Sequence, residues 1–409
     1  MEEWKEYRLG DICDTISDTY KGNSPQVVLI NTSDVLEGKC LNHIPVPNKN
    51  LKGQFKKTFC NEDILYSEIR PANKRFAYID FEPKDYIAST KLMVIRSKKE
   101  VLPKYLYYIL QSNQMLDKLQ TLAETRSGTF PQITFSELAA QKIILPGLNS
   151  QKKIVQVLES INSKIELNRR INENLEQQAQ ALFKSWFVDF EPFKDGKFVD
   201  SELGKIPEGW NVKKLEELCD SISVTHPCKK GQLIFLNTGD IENGFVLNHK
   251  YMNIKDMPGQ AKKSIQENDI LYSEIRPINR HFAFVNFPAQ EYIVSTKLMV
   301  LRANDNESSI RLYQYLTSED VINELQHEAE SRSGTFPQIR FENIKSLKIL
   351  IGSDDVEKQY TKYIENIYKM IFQYRKEIIR LEQLRDTLLP RLMSGELKIS
   401  DIKNKKLQE

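Results

Sequence analysis

Asp63-Ile-Leu-Tyr-Ser-Glu-Ile-Arg-Pro71 recurs letter for letter as Asp269-Ile-Leu-Tyr-Ser-Glu-Ile-Arg-Pro277. The offset, 276 − 70 = 206 for the arginine, holds without a gap from Trp4 and Trp210 to the last helical stretch. Asn31 matches Asn237, Lys91 matches Lys297, and Arg126-Ser-Gly-Thr-Phe-Pro-Gln-Ile133 returns unchanged as Arg332 to Ile339. A chain that carries one unit twice presents two similar surfaces. Two linked heads suit a ligand with two similar sites at a fixed separation, and duplex DNA is such a ligand.

Working outward, residues 1 to about 148 read as mixed β and α. Short β-branched or aromatic runs at 27–30, 64–66, 76–79 and 91–95 are bounded by turn residues and predict strands. Pro103 sits where a first helical turn tolerates it. Tyr105, Leu106, Ile109, Leu110, Leu116 and Leu119 follow at helical spacing and predict one helix. Gly128 and Pro131 end it in an exposed loop, with packing by Phe130 and Pro131 as the alternative reason for its repetition. Residues 207 to about 353 repeat the pattern.

Between and after the copies the texture changes. Residues 151–186 hold no Gly or Pro, and Ile154, Leu158, Ile161, Ile165, Leu175, Ala179, Leu182 and Trp186 form a heptad-like stripe interrupted by Asn168 and Asn172. Tyr360, Ile364, Ile367, Ile371, Tyr374, Ile378, Leu381, Leu388 and Leu392 form a second, with Arg385 as its polar interruption. Each stretch of about 35 residues predicts a helix on the order of 50 Å. An apolar stripe must be covered, so the helices are expected to pair antiparallel, with Asn168 facing Tyr374 or solvent. The alternative is that each stripe packs on its own globular domain. The aromatic, turn-rich run 187–196 reads as a tether, and the second copy opens at Ile206-Pro-Glu-Gly-Trp210.

The 409 residues allow two to four domains, and 40% hydrophobic with 28% charged residues is ordinary for a globular protein. A net charge of +2 neither demands nor excludes a polyanion. No stretch approaches the roughly 20 apolar residues that span a bilayer. Met1-Glu-Glu-Trp-Lys-Glu lacks an apolar secretory core, and five cysteines without a Cys-x-x-Cys pair argue against a disulfide framework or a zinc site. Cys13 and Cys219 are expected as small buried residues, and a cytoplasmic location fits.

Phosphate loops, dinucleotide fingerprints, zinc-protease and nucleophile-elbow motifs are missing from the sequence. Asp63 with Glu68 and Arg70 loosely resembles a nuclease carboxylate pair. The plainer reading puts Asp63 in a turn and pairs Glu68 with a nearby base. The histidines are scattered, and His43 and His249 read as surface residues. What remains is a binding inventory, present twice. Lys56, Lys57, Arg70, Asn73, Lys74, Arg75, Lys91, Arg126, Ser127, Thr129 and Gln132 are the candidates in the first copy. Lys262, Lys263, Arg276, Asn279, Arg280, Lys297, Arg332, Ser333, Thr335 and Gln338 are those in the second. Arg forks match guanine, Asn and Gln match adenine, and Lys, Ser and Thr suit phosphate. Gly128 and Gly334 would let backbone approach a phosphate. The copies differ at 18–24 against 224–230 and at 45–50 against 251–256, where a recognition surface could be tuned. Shared and variable loops together suggest half-sites that are similar or identical.

The chain resembles, over essentially its whole length, the specificity (S) subunit of type I restriction–modification enzymes. The resemblance is carried by Ile206-Pro-Glu-Gly-Trp210, by Asp63-Ile-Leu-Tyr-Ser67 and its repeat, and by Ile143-Ile-Leu-Pro146 leading to Gln151-Lys-Lys-Ile154. Ala181-Leu-Phe-Lys-Ser-Trp-Phe-Val-Asp-Phe-Glu-Pro192 and Leu388-Leu-Pro-Arg-Leu-Met-Ser-Gly-Glu396 carry it most specifically. It implies an α+β chain: two similar mixed α/β target recognition domains separated by two long antiparallel, coiled-coil-like helices, pseudo-two-fold symmetric. The corresponding segments are target recognition domain 1 at 1–148, a central helical conserved region and tether at 149–200, target recognition domain 2 at 201–353, and a C-terminal helical conserved region at 354–409.

The resemblance further implies bipartite double-stranded DNA as ligand, with the helices acting as a ruler for the spacer. It implies two modification (methyltransferase) subunits and restriction subunits as partners, docking on helices that carry Ile154, Ile161, Asn168, Leu175, Trp186, Ile367, Tyr374, Leu381 and Leu388. No catalytic residue, metal or cofactor is expected in this chain. S-adenosylmethionine, ATP and Mg belong to the partners, which methylate adenine and cleave DNA. The rival expectation is a stand-alone tandem DNA-binding regulator or architectural protein, and a third is an enzyme with an unrecognised nuclease centre.

Overall fold

The structure is a computed structural model that describes residues 4–304 and 308–397. The acidic start, residues 1–3, lies outside the described residues. The chain packs as two compact units, one of Met1–Ile165 with Ile379–Glu409 and one of Glu166–Ile378.

Each unit holds one copy of the repeat, built on two four-stranded sheets. In the first copy, Cys13–Ile16, Leu92–Ser97, Ile64–Ser67 and Phe76–Tyr78 lie in that order, all antiparallel. The other sheet runs Val46–Pro47, Gln26–Ile30, Tyr86–Ser89, Phe55–Lys57, with the central pair parallel. The second copy repeats both sheets, the latter as Tyr251–Asn253, Gln232–Leu236, Tyr292–Ser295 and Ala261–Ser264.

The period-2 alternation of side chains sorts these strands into layers. In the second copy Ile270 and Tyr272 face the helices, while Leu271 between them faces the other sheet. Ile234 and Leu236 meet Leu271 between the sheets, and Leu233 and Phe235 point to the far face. The layers are therefore loops, sheet, sheet, helices.

The expected strands form, with Leu92–Ser97 starting one residue later than read. Tyr86–Ser89 and Phe55–Lys57 escaped the sequence reading, because three or four residues are too few to carry an alternation. The single helix expected after Pro103 is two, Pro103–Leu110 and Asn113–Arg126. Ser112 divides them. Its hydroxyl donates to Ile109 O at 2.7 Å and accepts from Met115 N at 3.3 Å, which caps the second helix.

The long helices are Leu148–Phe187 and Asp354–Met393, 40 residues each. At 1.5 Å per residue that is about 60 Å, longer than expected because the first begins right after Gly147. In the second unit their segments run antiparallel. Trp186 packs on Tyr360 (ring centroids 5.4 Å), Arg375 donates to Glu176 at 2.6 Å, and Asn168 donates to Glu377 at 2.9 Å. Asn168 is thus buried against a carboxylate and does not face solvent. The same segments also cover the domain, since Leu175, Ala179, Tyr360 and Ile364 share one core with Met299 and Leu325. In the first unit Ile154 and Leu158 join Leu388, Leu389 and Leu392 over Tyr105 and Leu119. Mutual pairing and packing on a domain therefore occur together, because each stripe is wide enough for both.

The run read as a tether is instead packed. Phe187, Phe190 and Phe193 surround Trp210, with centroids 5.0 to 5.7 Å away. A hairpin of Phe198–Ser201 and Gly204–Pro207 follows.

Candidate nucleic-acid interface

The repeated nonapeptide ends a strand and turns sharply. Arg70 (φ 45°, ψ 77°) and Lys74 (φ 53°) are left-handed, as are Arg276 (φ 44°) and Arg280 (φ 55°) in the second copy. Non-glycine residues in this region cost roughly 1–3 kcal/mol each and persist only where their surroundings fix them. Here Arg70 N donates to Pro131 O at 3.1 Å, Asn73 N closes on Arg70 O at 2.8 Å, and Pro71 is buried.

The loop that supplies Pro131 is stapled to this turn. Ile69 bridges Gln132, and Ile133 N donates to Glu68 O at 2.8 Å. Within it Ser127 Oγ accepts from Phe130 N at 3.2 Å. Lys91 Nζ reaches Gln132 Oε1 at 3.3 Å and Glu68 at 3.7 Å, so Glu68 pairs with a base as expected. Next to Lys91, Thr90 N donates to Gln54 O at 2.7 Å, and Tyr20 N donates to Lys56 O at 2.8 Å. One connected stripe therefore runs from the 126–133 loop through the Arg70 turn, Lys91 and Lys56 to the 18–24 segment. The second copy rebuilds it: Arg276 to Pro337 at 3.2 Å, Lys297 to Gln338 at 3.2 Å, Thr296 to Gln260 at 2.9 Å, His226 to Lys262 at 2.8 Å.

The candidates are not equally available. Arg70, Asn73, Lys56, Thr129, Arg276, Asn279, Lys262 and Thr335 are exposed. Arg126 pairs with Glu137 (3.3 Å), Arg332 with Glu328 (2.6 Å), Lys74 with Glu37 (3.2 Å) and Arg280 with Glu319 (2.6 Å). These exposed pairs are weak and exchangeable. Ser127 and Ser333 accept from loop backbone N–H groups. Arg75 donates to Ser33 O at 3.1 Å. Lys57 and Lys263 are half-buried and donate to Leu92 O and Leu298 O at 2.7 and 2.8 Å, and burial lowers both pKa values.

Asp63 does not belong to a nuclease pair. It is buried, and Arg96 donates to both its oxygens at 2.7 Å, as Arg302 does to Asp269 at 2.7 and 2.8 Å. His43 and His249 are exposed and bond Tyr86 and Tyr292. Cys13 and Cys219 are buried, and burial pushes both thiols up to about 12.

Packing accounts for Pro131 but leaves out Phe130. It is 49% exposed and Phe336 is 52% exposed, whereas Pro131 and Pro337 are buried. An aromatic bounded by a hydroxyl-rich turn and a proline gave no sign of which way it points.

On the long helices, Ile154, Ile161 and Leu175 are buried. Trp186, Ile367, Tyr374, Leu381 and Leu388 are partly buried. Leu148, Leu167, Tyr363, Met370 and Leu384 are the large apolar residues those helices expose. Among the described residues no cluster of three or more His, Cys, Asp or Glu is placed to hold a metal, and no helix is long and apolar enough to cross a membrane.

The type I restriction modification DNA specificity domain matches the chain twice, over residues 1–177 and 207–383. The specificity subunit of type I restriction enzyme HindI from Haemophilus influenzae is 32% identical, covering 97% of this chain and 100% of the relative. That of MjaIX from Methanocaldococcus jannaschii is 27% identical, covering 78% and 77%. The solved type I restriction–modification S subunit from M. genitalium is alike in fold, with a TM-score of 0.54 at 15% identity and 96% of each chain covered. One match falls on each copy and together they span most of the sequence, so the chain belongs to the type I restriction–modification DNA specificity family.

Proposed function

We propose that the chain selects DNA for a type I restriction–modification complex, each domain laying its stripe against one half of a bipartite target. The observation that carries this is the stripe itself, built twice with the same hydrogen bonds and the same exposed arginine turn. Arg70, Asn73, Lys56, Lys91, Arg126 and their repeats face phosphates and bases. Surface ion pairs such as Arg126–Glu137 yield to phosphate at little cost. The exposed Leu167, Tyr363, Met370 and Leu384 on the long helices meet two modification subunits. Those subunits bring S-adenosylmethionine and adenine methylation, and restriction subunits bring ATP, Mg and cleavage. The complex works in the cytoplasm.

The test is to mix the purified chain with its modification subunit and map methylated adenine with and without the chain. Co-elution and a bipartite motif that depends on the chain are expected. Separate elution with an unchanged map would overturn the proposal, and a footprint by the lone chain with no partner would favour a tandem regulator. Four residues inserted after Asn168 add about 6 Å of helix. If the helices act as the ruler, the spacer of the motif changes.

A further inference from the structure

The two copies agree closely in the helix-side sheet. Ile64–Ser67 is identical to Ile270–Ser273, and Leu92–Ser97 differs from its repeat only at Ile95 and Ser97. They part in several places, two of which are the segments 20–24 and 44–50 with their counterparts. Tyr20-Lys-Gly-Asn-Ser24 faces His226-Pro-Cys-Lys-Lys230 with no residue in common. Ile44-Pro-Val-Pro-Asn-Lys-Asn50 faces Lys250-Tyr-Met-Asn-Ile-Lys-Asp256 with only one lysine in common.

The fold brings these two segments together. In the first copy Asn48 Nδ2 donates to Ser24 O and Asn48 N to Pro25 O, both at 2.9 Å. In the second, Ile254 N donates to Gly231 O at 3.2 Å, and Cys228, Ile254 and Met257 cover Leu233, Phe235 and Ile293 on the far face of the outer sheet. These two divergent segments thus form one patch per domain, on the layer farthest from the helices. It adjoins the shared stripe through Tyr20 and Lys56, or His226 and Lys262.

Each patch is anchored, and anchored differently. Asp85 accepts from Tyr20 Oη at 2.6 Å. Glu291, its counterpart at the 206 offset, accepts instead from Lys230 and Tyr251. His226 Nδ1 accepts from Cys228 N at 3.0 Å, a bond that Tyr20 at the matching position cannot make. Unconstrained surface drift would leave such segments untethered. These are held in two distinct shapes on one scaffold, as a preorganised recognition surface requires.

We propose that residues 20–24 with 44–50, and 226–230 with 250–256, discriminate bases, and that the two half-sites differ at the base pairs these patches meet. The inference rests on the specificity reading above. Within the stripe, Lys56, Arg70, Asn73, Lys91 and the 126–133 loop are the same in both domains and cannot tell one half-site from the other. Contacts that position a protein on the duplex and contacts that specify sequence are separable in this way.

The experiment exchanges the patches in the full chain, assembled with its modification subunits, placing the 226–230 and 250–256 sequences at 20–24 and 44–50. Methylated adenine is then mapped by sequencing. The first half-site should become that of the second domain, giving a symmetric motif. An unchanged motif at retained methylation would overturn the proposal. If the exchange abolishes methylation everywhere, the exposed matched pair decides. Asn23→Lys and Lys229→Asn should each shift the preference at one half-site by tenfold or more, and no shift in either overturns the proposal. A native complex that methylates no bipartite motif would instead refute the specificity reading itself.

Discussion

At the residue scale, the 126–133 loop makes the sharpest test. Gly128 and Gly334 have no atom within 4 Å of where a Cβ would stand, and neither has a positive φ. The fold asks for glycine at neither place, so a close external surface would explain it. Gly128→Ala should leave the thermal unfolding midpoint unchanged and weaken DNA binding by the assembled complex. Phe130 points out of the same loop with no packing role, and Phe130→Ala should weaken binding by about 1–3 kcal/mol, the range for losing one aromatic–base contact. Titration of labelled duplex against the complex measures both. Binding unchanged in both variants would remove the loop from the interface. The strained Arg70 and Arg276 point the same way, because strain held identically in two copies serves something beyond folding.

At the element scale, the helix pair carries a polar fault. Asn172 is buried in the second unit with neither Oδ1 nor Nδ2 bonded, and its repeat counterpart is the buried Ile378. An unsatisfied buried amide costs more than it contributes, so Asn172→Leu should stabilise the unit by about 1–2 kcal/mol. Urea denaturation followed by helix signal would show a raised midpoint, and a lowered one would mean the amide has a partner in solution. The long helices were legible because heptad spacing persists over many turns. Ser112 was not read as a helix boundary, since one hydroxyl cap inside an apolar stripe leaves the periodicity almost intact. Of the interface, the repeated residues were legible but their availability was not. Lys57 and Arg70 look alike in sequence, yet one ammonium is turned onto the Thr90 and Leu92 carbonyls and the other cation is exposed.

At the scale of the whole molecule, the second unit is one continuous segment, whereas the first is not and borrows its final wall from a distant stretch of the chain. Leu388, Leu389 and Leu392 close the core over Ile154, Leu158 and Tyr105. A chain stopped after Ile378 should therefore lose protection within 1–165 under limited proteolysis while 166–378 stays protected. Equal protection of both would mean the first unit closes without its distant helix. Synthesis runs in the opposite order to completion: the domain that leaves the ribosome first stays unsealed until residues 388–392 have been made. A nonsense or frameshift lesion between codons 378 and 388 would then spare the later-made domain and cripple the earlier one.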